Sequence, residues 1–167
     1  MQNIELDELA HSLTKGINNY GGALLTTAND DKVNSMTIGW AMSGMIFGKN
    51  VLMLMVRHSR YTYELLAKNT EVTLTIPLDD ALKPALGLCG SKSGRCFDKL
   101  EAAGLKTQSG QVVSTPIIKA NAVYVEGKVI LQQDVELETL APDLKAKWYA
   151  NGDCHRLYFL EILTCYK

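Results

Sequence analysis

The sequence predicts a mainly β protein, an antiparallel barrel, closed or nearly closed, with helical excursions. Three observations lead there. Several segments of strand length, rich in Val, Ile, Thr and Tyr, follow one another along the chain. Tight, turn-forming stretches join most of them. Helical periodicity is confined to short segments that do not alternate regularly with strands, which argues against parallel βαβ units. With 167 residues, the chain suits a single domain spanning 1–167 around one core.

The elements follow in order. Leu6, Leu9, Leu13 and Ile17 recur at helical spacing and Gly16 reads as a stop, so the chain opens with a short amphipathic helix. GALLTTAN (22–29) and VNSMTIGW (33–40) form an antiparallel pair about the turn-rich Asp30, Asp31 and Lys32. After the GKN turn comes VLMLMVR (51–57), a continuous apolar run of strand length. HSRYTYELLAKN (58–69) reads as a helix with Ser59 as N-cap and Asn69 as its stop. TEVTLTIP (70–77) alternates and ends at proline. SGRCFDKLEAAGL (93–105) reads as a second helix, capped by Ser93 and ended by Gly104. NAVYVEGKVILQQDV (121–135) and HRLYFLEILTCY (155–166) are long strands rich in Val, Ile and Tyr. No repeat or low-complexity segment interrupts them.

Composition excludes several classes of function. Seventeen basic and 18 acidic residues leave a net charge of -1, so no global field draws the chain to nucleic acid or an anionic membrane. No apolar run is long enough to cross a bilayer, and the acidic, periodic start lacks the features of a secretory signal. Cys89, Cys96, Cys154 and Cys165 lack zinc-site spacing, and a reducing cytoplasm is the simplest setting for them.

Four segments carry candidate chemistry. In VRHSRYTYELL, a helix starting near Ser59 turns unpaired backbone N–H groups outward, with the Ser59 and Thr62 hydroxyls in its first turn and Arg57 and Arg60 close by. That arrangement suits a phosphate. Arginine there opposes the helix dipole unless an anion neutralises it, though a solvated basic turn would carry the same residues. In VNSMTIGW, a strand sends Asn34 and Met36 to one face and Ser35 and Thr37 to the other, with Trp40 at its end. Hydrogen-bonding groups beside apolar and aromatic surface suit a flat heteroaromatic such as a flavin; a half-exposed strand has the same pattern.

LCGSKSGRCFDKL matches neither a dinucleotide nor a Walker loop. It reads as a flexible loop carrying Ser91, then a capped helix carrying Arg95 and Lys99, placed to contact a phosphate or a ring edge; a surface helix with Lys99 in water is the alternative. Cys96 falls in the first turn of that expected helix, where a thiolate would be favoured, although free cysteines usually serve as small buried apolar groups. Finally, His155 enters the last strand after a turn and is the candidate catalytic group, able to donate or accept a proton at a cavity mouth.

Taken in this order, NSMTIGW, VRHSRYTYELL, SGRCFDKLEAAGL and GDCHRLYFLEI resemble the flavin reductase-like family, flavoproteins with an FMN-binding split barrel, and its flavoredoxin-like members in particular. The likeness runs from about Gly21 to Ile162. It implies a Greek-key split barrel, a homodimer, and noncovalent FMN near the subunit interface. By that resemblance Asn34, Ser35, Met36, Thr37 and Trp40 border the ring, Ser59, Arg60, Tyr61 and Thr62 hold the phosphate with support from Arg57, and Lys99 lies near the cofactor. One departure is Cys154, which stands between Asp153 and His155 where the family runs G-D-H directly and so bears on the orientation of His155. Cys96 fills a variable position.

The resemblance implies hydride transfer from NAD(P)H to flavin N5, with the protein supplying position and electrostatics and no general base. Two other functions fit the same pocket: an electron carrier in the manner of flavoredoxin, fed by a protein donor, and a flavin-binding protein without turnover.

Overall fold

The computed structural model describes residues 2–29 and 32–167. The turn expected at Asp30 and Asp31 lies outside the described residues. Helix α1 (Leu6–Tyr20) comes first, and it runs past Gly16 to end at Gly21, whose φ of 90° suits a C-terminal glycine. Gly16 is instead a point of close approach: a Cβ there would lie 2.7 Å from the Ile76 side chain.

Strands β1 (Ala23–Asn29), β2 (Lys32–Ile38), β3 (Ala41–Ile46) and β4 (Lys49–Arg57) follow as two hairpins, then α2 (Tyr61–Leu66) and β5 (Glu71–Pro77). A 3-10 turn (Asp80–Leu82) leads into α3 (Lys83–Ser91). After it come α4 (Lys99–Ala102), the two-residue strands β6 (Thr107–Gln108) and β7 (Ile117–Ile118), β8 (Ala122–Asp134), α5 (Pro142–Trp148) and β9 (His155–Tyr166).

Several of these elements differ from the sequence-based expectation, which included none of β6, β7 and α5. β3 was not expected, since AMSGMI lacks β-branched residues until its end. α3 occupies what reads as a flexible loop, because Gly87 and Gly90 look like breakers; the first turn of the helix contains Pro84, which is tolerated there. The expected helix at Ser93 begins only at Lys99: Asp98 is its cap, accepting from the N–H groups of Leu100 and Glu101, while residues 94–96 form a turn.

The main sheet has seven strands in the order β2-β1-β5-β8-β9-β4-β3, every neighbouring pair antiparallel. Its run β4-β9-β8-β5 has β4 returning beside the far end of a three-strand meander, which is a Greek key. The edge strands β2 and β3 are separated by Gly39 and Trp40 alone. Laid flat, seven strands would put these edges about 29 Å apart at about 4.8 Å per strand. Three Cα steps span no more than about 11 Å. The sheet therefore curls until its edges meet at Gly39 and Trp40, and among the described residues no ladder joins them. This is the split barrel.

Strand β1 is buried on both faces from residue 23 to 27. Leu25 faces the barrel interior with Met36, Ile38, Leu54, Leu74 and Val125, and α1 closes one end with Leu9 and Leu13. Leu24 faces outward into a second cluster with Leu82, Leu86, Cys89, Leu100 and Ile118, which fastens α3 and α4 to the outside of the sheet. Each fully buried leucine contributes about 1.5–3 kcal/mol by burial. Glu126 on β8, inaccessible to solvent, accepts from the backbone N–H groups of Gln111 (2.6 Å), Val112 (2.8 Å) and Val113 (3.0 Å) and from the Tyr166 hydroxyl (2.5 Å), anchoring the loop between β6 and β7. Among the described residues no helix is long and apolar enough to cross a membrane.

Candidate functional site

Two adjoining cavities open beside the split, with Met36 and Arg60 in the walls of both. The first, about 120 Å³, lies between α2, the end of α3 and the 92–99 turn. Two cations of its wall, Arg60 and Lys99, and the neighbouring Lys32 reach carbonyl oxygens. Arg60 donates to Gly90 O (2.9 Å), Lys99 Nζ to Cys89 O (3.2 Å) and Lys32 Nζ to Gly94 O. Among the described residues no carboxylate pairs with Lys32, Arg60 or Lys99, whereas Arg95 pairs with Glu64. Lys99 is only 4% exposed. Burial lowers its pKa from the ordinary lysine range, and Arg60 and Lys32 lower it further against the opposing effect of Cys89. Burial likewise pushes the Cys89 thiol up.

Gly94 fits this wall because it has no side chain: a Cβ would lie 2.1 Å from Asn34 Oδ1. Asn34 is 2% exposed, its Nδ2 donates to Thr62 Oγ1 (3.0 Å), and its Oδ1 has no hydrogen-bond partner among the described residues. It thus sits behind the cavity wall, between Thr62 and the 92–95 turn.

The second cavity, about 170 Å³, is lined by Met36, Thr37, Gly39, Trp40, Met55, Arg57, Arg60 and His155. The two-residue link that closes the barrel thus forms part of its wall. The His155 ring lies 4.9 Å from that of Trp40, and Nδ1 is 2.8 Å from the Tyr149 hydroxyl. Burial, then Arg57, brings the His155 pKa down to about 4, so the imidazole is neutral at pH 7.

The structure gathers Met36, Thr37, Trp40, Arg57, Ser59, Arg60, Tyr61, Thr62, Ser91, Lys99 and His155 around these cavities. It does not bring Ser35 there: that hydroxyl faces Thr26 Oγ1 (3.2 Å) and Leu25 O (3.3 Å) inside the sheet. Nor is Ser59 an N-cap. Its backbone N–H (3.2 Å) and hydroxyl (2.7 Å) both reach the Asp153 carboxylate, and Arg60 takes the cap position. Arg60 therefore stands at the positive end of the helix rather than inside its first turn. Arg57 donates to Asp153 O and to Trp148 O (3.1 Å), so it clamps the 148–153 turn. Lys99 is buried, where a solvated position was the alternative. Cys96 is exposed on a turn, so the expected helix-terminus effect on its thiol has no structural basis.

Sequence reasoning missed Gly39, Met55, Lys92 and Tyr149. Gly39 and Lys92 adjoined singled-out residues, but Met55 and Tyr149 reach the site through tertiary packing and have no local pattern. Among the described residues no cluster of His, Cys, Asp and Glu could hold a metal ion.

Known proteins share this fold. The family profile described as Flavin reductase like domain matches residues 17–166. An uncharacterized protein of Archaeoglobus fulgidus is 28% identical over 116 residues, covering 70% of this chain and 64% of that protein, so the match spans less than two thirds of the relative's length. Flavoredoxin from Methanosarcina acetivorans is 23% identical, with 87% of this chain and 67% of that chain covered and a TM-score of 0.65. An FMN-binding domain of a flavin reductases-like enzyme from Shewanella baltica is 15% identical, with 99% and 78% covered and a TM-score of 0.67. At these identities the two structures establish a shared fold.

Proposed function

The chain belongs to the family of flavin reductase like domains, and from that premise we propose that it is an FMN-dependent oxidoreductase which takes reducing equivalents from NAD(P)H. The observation that carries the reading is the uncompensated cation set of the first cavity beside an aromatic and thioether wall in the second. An anion fits where Lys99 is buried with, among the described residues, one carbonyl partner and no carboxylate. A flat ring fits between Met36, Met55 and Trp40.

Arg60, Lys99, Ser91 and Ser93 would hold the phosphate end, with Lys92 at the mouth. Met36, Thr37, Trp40, Met55 and His155 would hold the ring end. Bound there, FMN supplies a ring able to accept a hydride from a reduced nicotinamide. The protein's part is to orient, to exclude water with Trp40 and the methionines, and to place cationic and N–H groups at the ring edge. Neutral His155 adds no charge, so the cationic field comes from Arg60, Arg57 and Lys99.

A homodimer is part of the same proposal. Met42 and Phe47 on the β3–β4 hairpin are 59% and 73% exposed, and Met45 and Ile46 are exposed beside them. A second copy covering this apolar face would adjoin the cavity through Trp40 and Met55, which also line the neighbouring groove with Met42 and Met53. The same face would serve a protein electron donor if the chain acts as a carrier.

The test is an absorbance spectrum of the purified protein with FMN, filtered free of unbound flavin and repeated anaerobically with NADH and with NADPH. Retained yellow colour that bleaches within seconds supports the oxidoreductase and identifies its donor. Retained colour that bleaches with neither moves the function to a carrier fed by a protein, and colour that no biological donor bleaches leaves binding without turnover.

A further inference from the structure

The turn before β9 brings together groups whose hydrogen bonds can be followed atom by atom. Tyr149 is buried, and its hydroxyl lies 2.8 Å from His155 Nδ1, its sole hydrogen-bond partner among the described residues. On the other side of the imidazole, Nε2 has no hydrogen-bond partner among the described residues, and it is not among the buried polar atoms left sealed without one. His155 is part of the wall of the second cavity.

These contacts decide where the imidazole proton sits. If Nδ1 carried it and donated to Tyr149, the phenolic hydrogen would have no acceptor in a buried position, which is costly. If the phenol donates, both the hydroxyl and Nδ1 are satisfied and the proton of the neutral ring is left on Nε2. Arg57 favours this arrangement. Its guanidinium lies over the Tyr149 ring at 5.3 Å, while NH1 and NH2 are directed to the carbonyls of Asp153 and Trp148. The cation makes the phenol a better donor and disfavours a second charge on the imidazole. The Asp153 carboxylate, which would favour an imidazolium, is turned to the Ser59 N–H and hydroxyl. Arg60 and His58 are the remaining ionisable groups that act on the ring, and both oppose its protonation.

We propose that Tyr149 is a positioning residue that fixes His155 in the Nε2–H tautomer, making it a hydrogen-bond donor into the second cavity, suited to a carbonyl oxygen on the edge of a bound ring. The choice of ligand rests on the flavin reading above; the tautomer does not. The departure at Cys154 is accommodated by the same device. Its Sγ lies 3.5 Å from Gly152 O, and Tyr149, six residues before His155, sets the ring.

The test is the nitrogen NMR spectrum of the imidazoles in protein labelled with ¹⁵N-histidine, with His155→Gln used to assign His155 apart from His11 and His58. At pH 7 the wild-type protein is expected to show a protonated Nε2 and an unprotonated Nδ1 at His155. Tyr149→Phe, which keeps the ring, is expected to give mixed tautomers and a higher His155 pKa, because the bond that favoured the neutral form is gone. A wild-type proton on Nδ1, or an unchanged tautomer and pKa in Tyr149→Phe, overturns the proposal. The wild-type spectrum decides the tautomer even if the variant does not fold. With FMN added, a shift of the Nε2 signal supports the donor role. Flavin binding seen by fluorescence without such a shift overturns that role, whereas an absence of flavin binding overturns the reading of the site and leaves the tautomer result intact.

Discussion

Glu126 and Lys99 are both charged side chains withdrawn from water, and the protein treats them in opposite ways. Glu126 receives three backbone N–H groups and a tyrosine hydroxyl. Among the described residues Lys99 has a single carbonyl and two neighbouring cations. The difference separates structure from function: a buried charge whose hydrogen bonds are complete holds the fold together, and one left incomplete marks a place for a ligand of opposite charge.

The largest expected effect breaks the first half of that contrast. Glu126→Ala leaves the Gln111, Val112 and Val113 amides without their acceptor, and we expect a loss of about 3–5 kcal/mol in urea unfolding. A loss below about 1 kcal/mol would mean that the loop finds water or other partners.

The next tests the ligand end. Arg60→Ala is expected to weaken FMN binding by about 1.5–3 kcal/mol, the range of a charge-assisted hydrogen bond. Unchanged affinity in a fluorescence titration would place the phosphate elsewhere.

The pH dependence sharpens the comparison with the smallest effects. Burial raises the Glu126 pKa, but the amides and the Tyr166 hydroxyl outweigh it and leave it lowered. Its contribution is therefore present above the unfolded carboxylate pKa and lost as the pH falls through the lower folded value. The Lys99 pKa is lowered too, so between its folded value and the unfolded value the unfolded chain binds the extra proton. Across that alkaline window this group makes the flavin-free protein more stable as pH rises. Urea midpoints of wild type and Lys99→Met should diverge less at high pH than at neutral pH. A gap that does not narrow would show that Lys99 is not strained by burial.

The fold was legible where one residue pattern served one purpose. The apolar runs of β4 and β9 and the alternation of β5 identify strands whatever surrounds them. α3 was not legible because Gly87 and Gly90 lower helix propensity by about 1 kcal/mol each, and the packing of Leu82, Leu86 and Cys89 onto Leu24 overrides that preference. Gly90 also sits against Thr37, where a Cβ would lie 3.3 Å from Thr37 Cβ. In SGRCFDKL, Asp98 outcompeted Ser93 as a cap because its carboxylate reaches two amides. The candidate site was readable along β2 and at residues 57–62, where neighbours in sequence are neighbours in space. It was not readable at Met55 or Tyr149, which the curled sheet and the 148–155 turn bring in from other parts of the chain. The alternation of VNSMTIGW also could not show that Ser35 points into the sheet.

The most direct test of the central claim is a parallel titration of wild type and Lys99→Met with FMN, followed by flavin fluorescence, with urea unfolding of both flavin-free proteins. The account predicts saturable binding by wild type, affinity lower by about tenfold or more in Lys99→Met, and a variant at least as stable as the parent. Equal affinity in the two proteins, or a variant that loses stability while binding FMN normally, would contradict it and make Lys99 a structural cation like any other.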